Sequence, residues 1–248
     1  MSGVISFPQE ERHRHLELAW RSGETARWKE NKPLCDGGNM LPIADADSKR
    51  NYSPWVTIVL IAVNVIVFLI ELSHGEAFIE RWAFVPNRFL EAPIANIPTL
   101  FTSMFMHGGW MHLIGNMLYL WIFGDNIEGH FGHIWFVGFY VLSGIAATFS
   151  QLVISMNSSV PLLGASGAIA GVLGAYLLLF PKQQVRVLVR RRTVRLPALI
   201  VIGFWFLLQV LRSFVSFSES AGGGGVAYLA HVGGFVAGLL LALIFRKK

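Results

Sequence analysis

Four residues of this chain, Ser166, His231, Asn116 and His112, are of types that could do chemistry together. Ser166 lies in Leu163-Gly164-Ala165-Ser166-Gly167-Ala168-Ile169-Ala170-Gly171, at the head of an apolar stretch. His112 and Asn116 lie in a second such stretch and His231 in a third. A serine hydroxyl is a weak nucleophile until a base takes its proton. Histidine, which titrates near neutrality, is suited to take it. The tetrahedral intermediate that follows carries an oxyanion, which needs donors already in place. Asn116 and His112 can supply side-chain N–H groups, and the backbone amides near Ser166 can act with them. The chemistry these types allow is hydrolysis by a Ser–His dyad.

Each residue also has a plainer reading. A serine in a small-residue helix can simply be packing. Two membrane histidines could in principle hold a metal or haem, although Asn116 and the glycine-flanked serine make that less economical. The single cysteine, Cys35, excludes an internal disulfide and a multi-cysteine metal site. A zinc site built from His13, His15 and Cys35 is not expected, and neither is a metal or cofactor elsewhere.

The elements that must position these groups follow from composition. Of 248 residues, 54% are hydrophobic and only 14% charged. A soluble domain of this length would carry about 25% charge. The expected fold class is therefore all-α: a polytopic membrane protein whose hydrophobic segments are 55–72, 99–123, 133–155, 165–181, 196–217 and 226–245. A span needs about 20 residues, so six helices are expected. The fourth is short and rich in glycine, which suits an inner helix with little lipid contact. Two domains are expected, an N-terminal cytoplasmic tail or small module over 1–50 and a six-helix membrane domain over 51–248.

Basic residues set the orientation. Lys49 and Arg50 precede the first span. Lys182, Arg186, Arg190, Arg191, Arg192 and Arg195 separate the fourth from the fifth, and Arg246, Lys247 and Lys248 end the chain. With six spans all three clusters fall on one side, which should be cytoplasmic along with both termini. The run from Lys182 to Arg195 is also compatible with anionic lipid. The net charge of +5 is thus a topology signal and does not point to nucleic acid. Segment 124–132 should be a cytoplasmic loop, although Asp125 and Glu128 are its only formally charged residues.

Orientation then fixes depth. His112, Asn116, Ser166 and His231 all fall in the outer half of the membrane, where no Asp or Glu joins them in these helices. His112 and Asn116 are four apart and share a helix face. His107 points elsewhere and reads as a loop anchor. Gly167 and Gly171 make a small-residue face in the fourth span; Ala230, Gly234 and Gly238 make one in the sixth. Such faces let backbones approach closely, and pairing them would bring Ser166 near His231. Segment 73–98, with Phe78, Trp82, Phe84, Phe89 and Leu90 and prolines at 86, 93 and 98, suits a loop half-sunk in the outer leaflet. Residues 10–30 could form an amphipathic helix. The start of the chain, with no basic residue before its short apolar run, does not read as a secretory signal.

At these residues the chain resembles the rhomboid family of intramembrane serine proteases. The carriers are His107-Gly108-Gly109-Trp110-Met111-His112-Leu113-Ile114-Gly115-Asn116, Gly164-Ala165-Ser166-Gly167-Ala168-Ile169 and Ala230-His231-Val232-Gly233-Gly234-Phe235. The resemblance covers residues 50–245. It implies a six-helix core with Ser166 as nucleophile and His231 as general base, and an oxyanion hole of Asn116, His112 and the backbone of Ala165 and Ser166. It further implies a structural Glu128 in the loop after the second helix. The implied substrates are single-pass membrane proteins, and residues 216–225, ending in four glycines, would form a mobile cap. Two departures stand out. Ala170 occupies a position where some bacterial members carry an aromatic stacked on the histidine. Arg81-Trp82 reverses the Trp-Arg order of some first loops. The compact form without a transit peptide suggests a prokaryotic plasma membrane.

Overall fold

The computed structural model describes residues 40–45, 53–189, 192–218 and 227–245. Along them run β1 (Met40–Asp45), α1 (Trp55–His74), α2 (Glu76–Trp82), α3 (Pro86–Glu91) and α4 (Pro93–Thr102). A 3-10 turn at Ser103–Phe105 leads to α5 (Trp110–Phe131), α6 (His133–Leu152) and α7 (Ser166–Leu179). Then come β2 (Gln184–Val189), β3 (Arg192–Pro197), α8 (Ala198–Ser218) and α9 (Tyr228–Phe245). The expected amphipathic helix over 10–30, the residues His13, His15 and Cys35, and the glycines 222–225 of the expected cap lie outside the described residues.

The chain is mostly helical. Among the described residues, Trp55–His74 and His133–Leu152 are long and apolar enough to cross a membrane by length and composition; 166–179, 198–214 and 228–244 are shorter apolar helices. α7 sits in the middle: every residue from Gly167 to Tyr176 is buried. A helix that is apolar all round has no polar face to keep in water and can be enclosed on every side. α1 differs, since Ile58, Val59, Ile66, Leu69 and Leu72 are all exposed.

Small residues set the distances between helices. The most extensive pairings are of α9 with α7 and with α6. A Cβ at Gly238 would collide with the carbonyl of Gly171, one at Gly234 with the carbonyl of Gly167, and one at Gly174 with the carbonyl of Phe235. These are backbone obstacles, which no rotamer change can clear.

Two expectations from sequence need correction. The first concerns the second span. The apolar stretch 99–123 is not one helix: its first part belongs to α4, the 3-10 turn and the non-helical His107-Gly108-Gly109 segment, and α5 begins only at Trp110. Segment 124–132, expected as a loop, supplies the last turns of α5 to Phe131. Hydropathy misplaces both ends because it counts side chains and is blind to how a buried acid is satisfied. Glu128 is fully buried. It accepts hydrogen bonds from the backbone N–H groups of Val56 (3.0 Å) and Thr57 (2.8 Å) and from the Thr57 hydroxyl (2.7 Å). These are the orphan donors at the start of α1, where the helix dipole also favours negative charge. His133 Nδ1 adds a contact at 2.6 Å, and its ring lies 4.9 Å from that of Trp55.

The second correction is to the all-α class. β1, β2 and β3 form an antiparallel sheet in the order β1-β2-β3. The Lys182–Arg195 run is thus largely a hairpin, and residues from the N-terminal segment pair with it, Leu41 opposite Leu188 and Asp45 opposite Val185. The alternation in Gln184-Val185-Arg186-Val187-Leu188-Val189 accounts for it: Val185 and Val187 are buried and Arg186 is exposed. This is the period-two pattern of a half-buried strand, masked in the sequence by its charge.

The stretch 73–98 folds into α2, α3 and the start of α4. The Arg88 guanidinium donates to the carbonyls of Glu80 and Ala83 and ties α3 back to the end of α2. Phe84, Phe89, Leu100 and Leu152 form a small apolar cluster with Leu162 against it. Leu162 N–H donates to Phe84 O at 2.7 Å and Asn87 N–H to Ser158 O at 3.1 Å, so this segment braces the 153–165 loop that leads to Ser166.

Substitutions separate these contributions. Gly238→Val should destabilise the fold by about 1–3 kcal/mol through overpacking. Gly138→Ala, at an exposed helical site with nothing within 4 Å, should be neutral or stabilising by up to about 1 kcal/mol. Thermal unfolding in detergent distinguishes them, and equal losses at both sites would refute the close-approach account. Glu128→Leu should cost more than Glu128→Gln, because each buried N–H it strands is worth about 1–3 kcal/mol; the same melts, run side by side, give the ranking.

Candidate active site

Ser166 is the first residue of α7, preceded by Ala165 at the N-cap. The chain reaches it through Gly164, whose φ of +129° is a conformation that side-chain-bearing residues rarely adopt. Gly164 N–H donates to Ser103 O at 2.9 Å, which fastens the approach to the 3-10 turn before α5. The first N–H groups of α7 have no acceptor within the helix, and the helix dipole makes that end favourable to negative charge.

The long-range contact is between α7 and α9. His231 Nε2 lies 2.8 Å from Ser166 Oγ, across 65 residues of sequence. His231 is buried while Ser166 is partly accessible. The backbone approach at Gly167–Gly234 and Gly171–Gly238, described above, brings the two side chains within this reach. On its other side His231 Nδ1 lies 2.8 Å from Oε1 of Gln209, a buried residue of α8. Trp205, one turn before Gln209 on α8, has its ring 6.0 Å from the His231 ring at 36°. Tyr228 meets the same ring edge-on at 6.5 Å.

Ala170 is buried and offers no ring to the histidine. The packing around His231 is therefore supplied from α8 and from the start of α9. Phe206 of α8 stacks on Phe235 of α9 at 4.1 Å and 21°, which fastens these two helices one turn from His231.

α5 brings the remaining polar groups. His112 is close enough to Gly164 that a Cβ there would stand 2.8 Å from His112 Cε1, 2.9 Å from its Nε2 and 3.6 Å from Ser166 Oγ. Asn116 lies one turn further along α5 and is buried, and its Nδ2 has no hydrogen-bond partner among the described residues. A buried donor left unpaired is costly, and such groups are retained where something else is to be bound. His107 is fully buried with both ring nitrogens unpartnered among the described residues. Its ring lies edge-on to those of His112 at 5.1 Å and Phe68 at 6.4 Å. Its backbone N–H donates to Glu71 Oε2 at 3.0 Å, which pins the start of α5 to α1.

Gly167, Gly171, Gly234 and Gly238 all lie on the α7–α9 contact, whereas Glu128 is at the far end of α5, bound to the start of α1. Two groups near the site escaped the reading of the sequence. Gln209 carried a signal, since a polar amide in an apolar stretch is a functional hypothesis by default. Glu71 carried one too, as an acid near the end of the first span. Among the described residues no cluster of His, Cys, Asp and Glu could hold a metal ion.

The fold and site define a mostly helical protein with a serine at a helix N-terminus and a histidine on the helix packed closely against it. The Rhomboid domain model matches residues 95–248. The chain belongs to the rhomboid family. It is 29% identical over 193 residues to rhomboid protein 1, mitochondrial, of Saccharomyces cerevisiae, covering 76% of this chain and 52% of that one. It is 29% identical over 195 residues to the rhomboid protease GluP of Bacillus subtilis, covering 78% of this chain and 35% of that one. With RHOMBOID-like protein 5 of Arabidopsis thaliana it shares 29% over 149 residues, 60% of this chain and 44% of that one. The chain spans about half the length of the first curated relatives it matches. These relatives include mitochondrial and chloroplastic proteins as well as a bacterial one, so the family match does not single out a prokaryotic plasma membrane.

The Gly164 geometry is testable by itself. Gly164→Ala should strain the backbone and push the His112 ring aside. Histidine NMR resonances of His112 should shift, and reaction of Ser166 with a fluorophosphonate should slow by on the order of tenfold or more, the scale expected when site geometry is misplaced. Unchanged His112 resonances would contradict it.

Proposed function

We propose that this protein is an intramembrane serine endopeptidase that cleaves membrane-protein substrates with a Ser166–His231 dyad. The observation that carries the reading is the 2.8 Å contact between Ser166 Oγ and His231 Nε2. The unpaired amide of Asn116 supports it, as does the similarity to the rhomboid protease GluP of Bacillus subtilis.

In this reading Ser166 Oγ attacks the scissile carbonyl carbon while its proton passes to His231 Nε2. The carbonyl oxygen becomes an oxyanion. Asn116, His112 and the backbone amides of Ala165 and Ser166 receive it, at a helix end whose dipole favours negative charge. The C–N bond then breaks, and the leaving amine takes the proton from His231. Water hydrolyses the acyl-enzyme by the same route: His231 takes its proton, the hydroxide adds to the ester carbon, and Ser166 leaves with the proton returned. His107 and Glu128 hold α5 at its two ends, and the four glycines of the α7–α9 contact keep base and nucleophile in range.

The proposed architecture is a six-helix membrane domain over 51–248 with an N-terminal segment over 1–50, both termini cytoplasmic and the dyad in the outer half of the bilayer. Single-pass membrane proteins are the proposed substrates. Anionic lipid is the proposed partner of the Lys182–Arg195 run: Lys182, Arg186, Arg192 and Arg195 are exposed, and Arg186 stands opposite Arg195 across β2 and β3. Like charges directly opposed on a sheet repel, and a bound anionic headgroup would relieve that. No cofactor, metal or nucleic acid has a part in the reading.

Purified protein in detergent or lipid should cleave a membrane substrate with a destabilised helix. Ser166→Ala should abolish cleavage with an unchanged melting profile, and Asn116→Ala should lower kcat by about 10²–10³-fold. Full cleavage by the Ser166→Ala protein would end the proposal. Intact binding of substrate without turnover by the wild type would instead identify a non-catalytic membrane-protein binder.

A further inference from the structure

We propose that Gln209 is a positioning residue for the catalytic base: by accepting a hydrogen bond from His231 Nδ1–H, it fixes the tautomer and ring orientation in which Nε2 faces Ser166 with a free lone pair. The inference rests on the reading of Ser166 and His231 as a catalytic pair.

The geometry is that of a relay with three members. Ser166 Oγ, the imidazole and Gln209 Oε1 stand in a row, with contacts of 2.8 Å on each side of the ring. A neutral imidazole carries one N–H and one lone pair. To take the serine proton the lone pair must be on Nε2, so Nδ1 must carry the hydrogen. A carbonyl oxygen opposite Nδ1 favours that tautomer, because the other one would set two lone pairs against each other in a buried site.

Burial makes the preference strong. Gln209 is only 2% exposed, whereas Leu207 and Leu211, two residues to either side, are 52% and 51% exposed. The helix therefore turns its one buried amide inward, toward α9. Removing a hydrogen-bond partner from a buried polar group costs more than the bond itself is worth, so Gln209 and His231 each hold the other in place. Trp205, one turn earlier on α8, adds a ring beside the imidazole. The Phe206–Phe235 stack keeps α8 from sliding along α9. Ala170 contributes no ring, so α8 becomes the element that orients the base. A carboxamide also differs from the carboxylate of a Ser–His–Asp site: it sets the tautomer without lending a negative charge to the imidazolium.

The test is made on the full chain in detergent, with ¹⁵N-labelled histidine. In the wild type, the neutral His231 ring should give a protonated Nδ1 and an unprotonated Nε2; the opposite pattern overturns the proposal without need of any variant. Gln209→Met keeps the side chain's length and removes the acceptor. It should lower kcat by on the order of 10²-fold, the lower part of what a positioned general base contributes, with KM little changed and His231 shifting toward the Nε2–H form. Gln209→Glu restores an acceptor and should cleave at least tenfold faster than Gln209→Met. A Gln209→Met protein that melts like the wild type and cleaves within twofold of it refutes the proposal. If the wild type itself does not cleave while Nδ1 is protonated, the protease reading fails and the Gln209 contact stands.

Discussion

The site depends on how closely α7 and α9 can pass. A serine and a histidine 65 residues apart meet at 2.8 Å only if their helix backbones come nearly into contact. Any Cβ on Gly234 or Gly238 would strike a carbonyl of α7. In a hydrocarbon solvent there is no hydrophobic force to press helices together, so close van der Waals packing has to do it. The small-residue faces are therefore a condition of the Ser166–His231 contact as well as of the fold. They also explain why α7 is buried from Gly167 to Tyr176: a helix this small in girth is surrounded by its neighbours.

Around that axis the remaining elements restrain the chemical groups from separate directions. α5 carries His112 and Asn116 on one face and is held at both ends by buried acids, Glu71 at the His107 backbone and Glu128 at the start of α1. Glu128 meets two backbone N–H groups and Glu71 one, and such bonds are how an acid can be kept in an apolar interior. The loop before Ser166 is braced by the α2–α3 segment through Phe84 and Leu162. α8 faces the histidine from the side away from the serine. The consequence is a serine–histidine contact whose two members are placed by different parts of the chain.

Much of this could be read from residue types. Uniform apolar runs gave five of the helices to within a few residues, because length and hydropathy suffice where a segment has no internal break. They failed at 99–131, where a bend at His107-Gly108-Gly109 interrupts an apolar run and Asp125 and Glu128 lie inside a helix. A buried acid satisfied by another helix's N-terminus looks, in sequence, like a solvated loop. They failed again at 184–197, where arginines drew attention from the valine alternation that makes a strand. Gln209 was visible as a polar residue among apolar ones, yet nothing local said what it faces.

By itself the sequence determined which side chains were available, and that His112 and Asn116 share a helix face, since a four-residue spacing is a local property of the helix. It likewise determined where backbones could approach, through the spacing of glycines. Tertiary structure alone decided which nitrogen of His231 meets Ser166, that Gln209 of α8 stands at the other, and that Glu128 caps α1. Those contacts join positions 65, 22 and 71 residues apart. Their geometry depends on how whole helices dock, which no local pattern encodes.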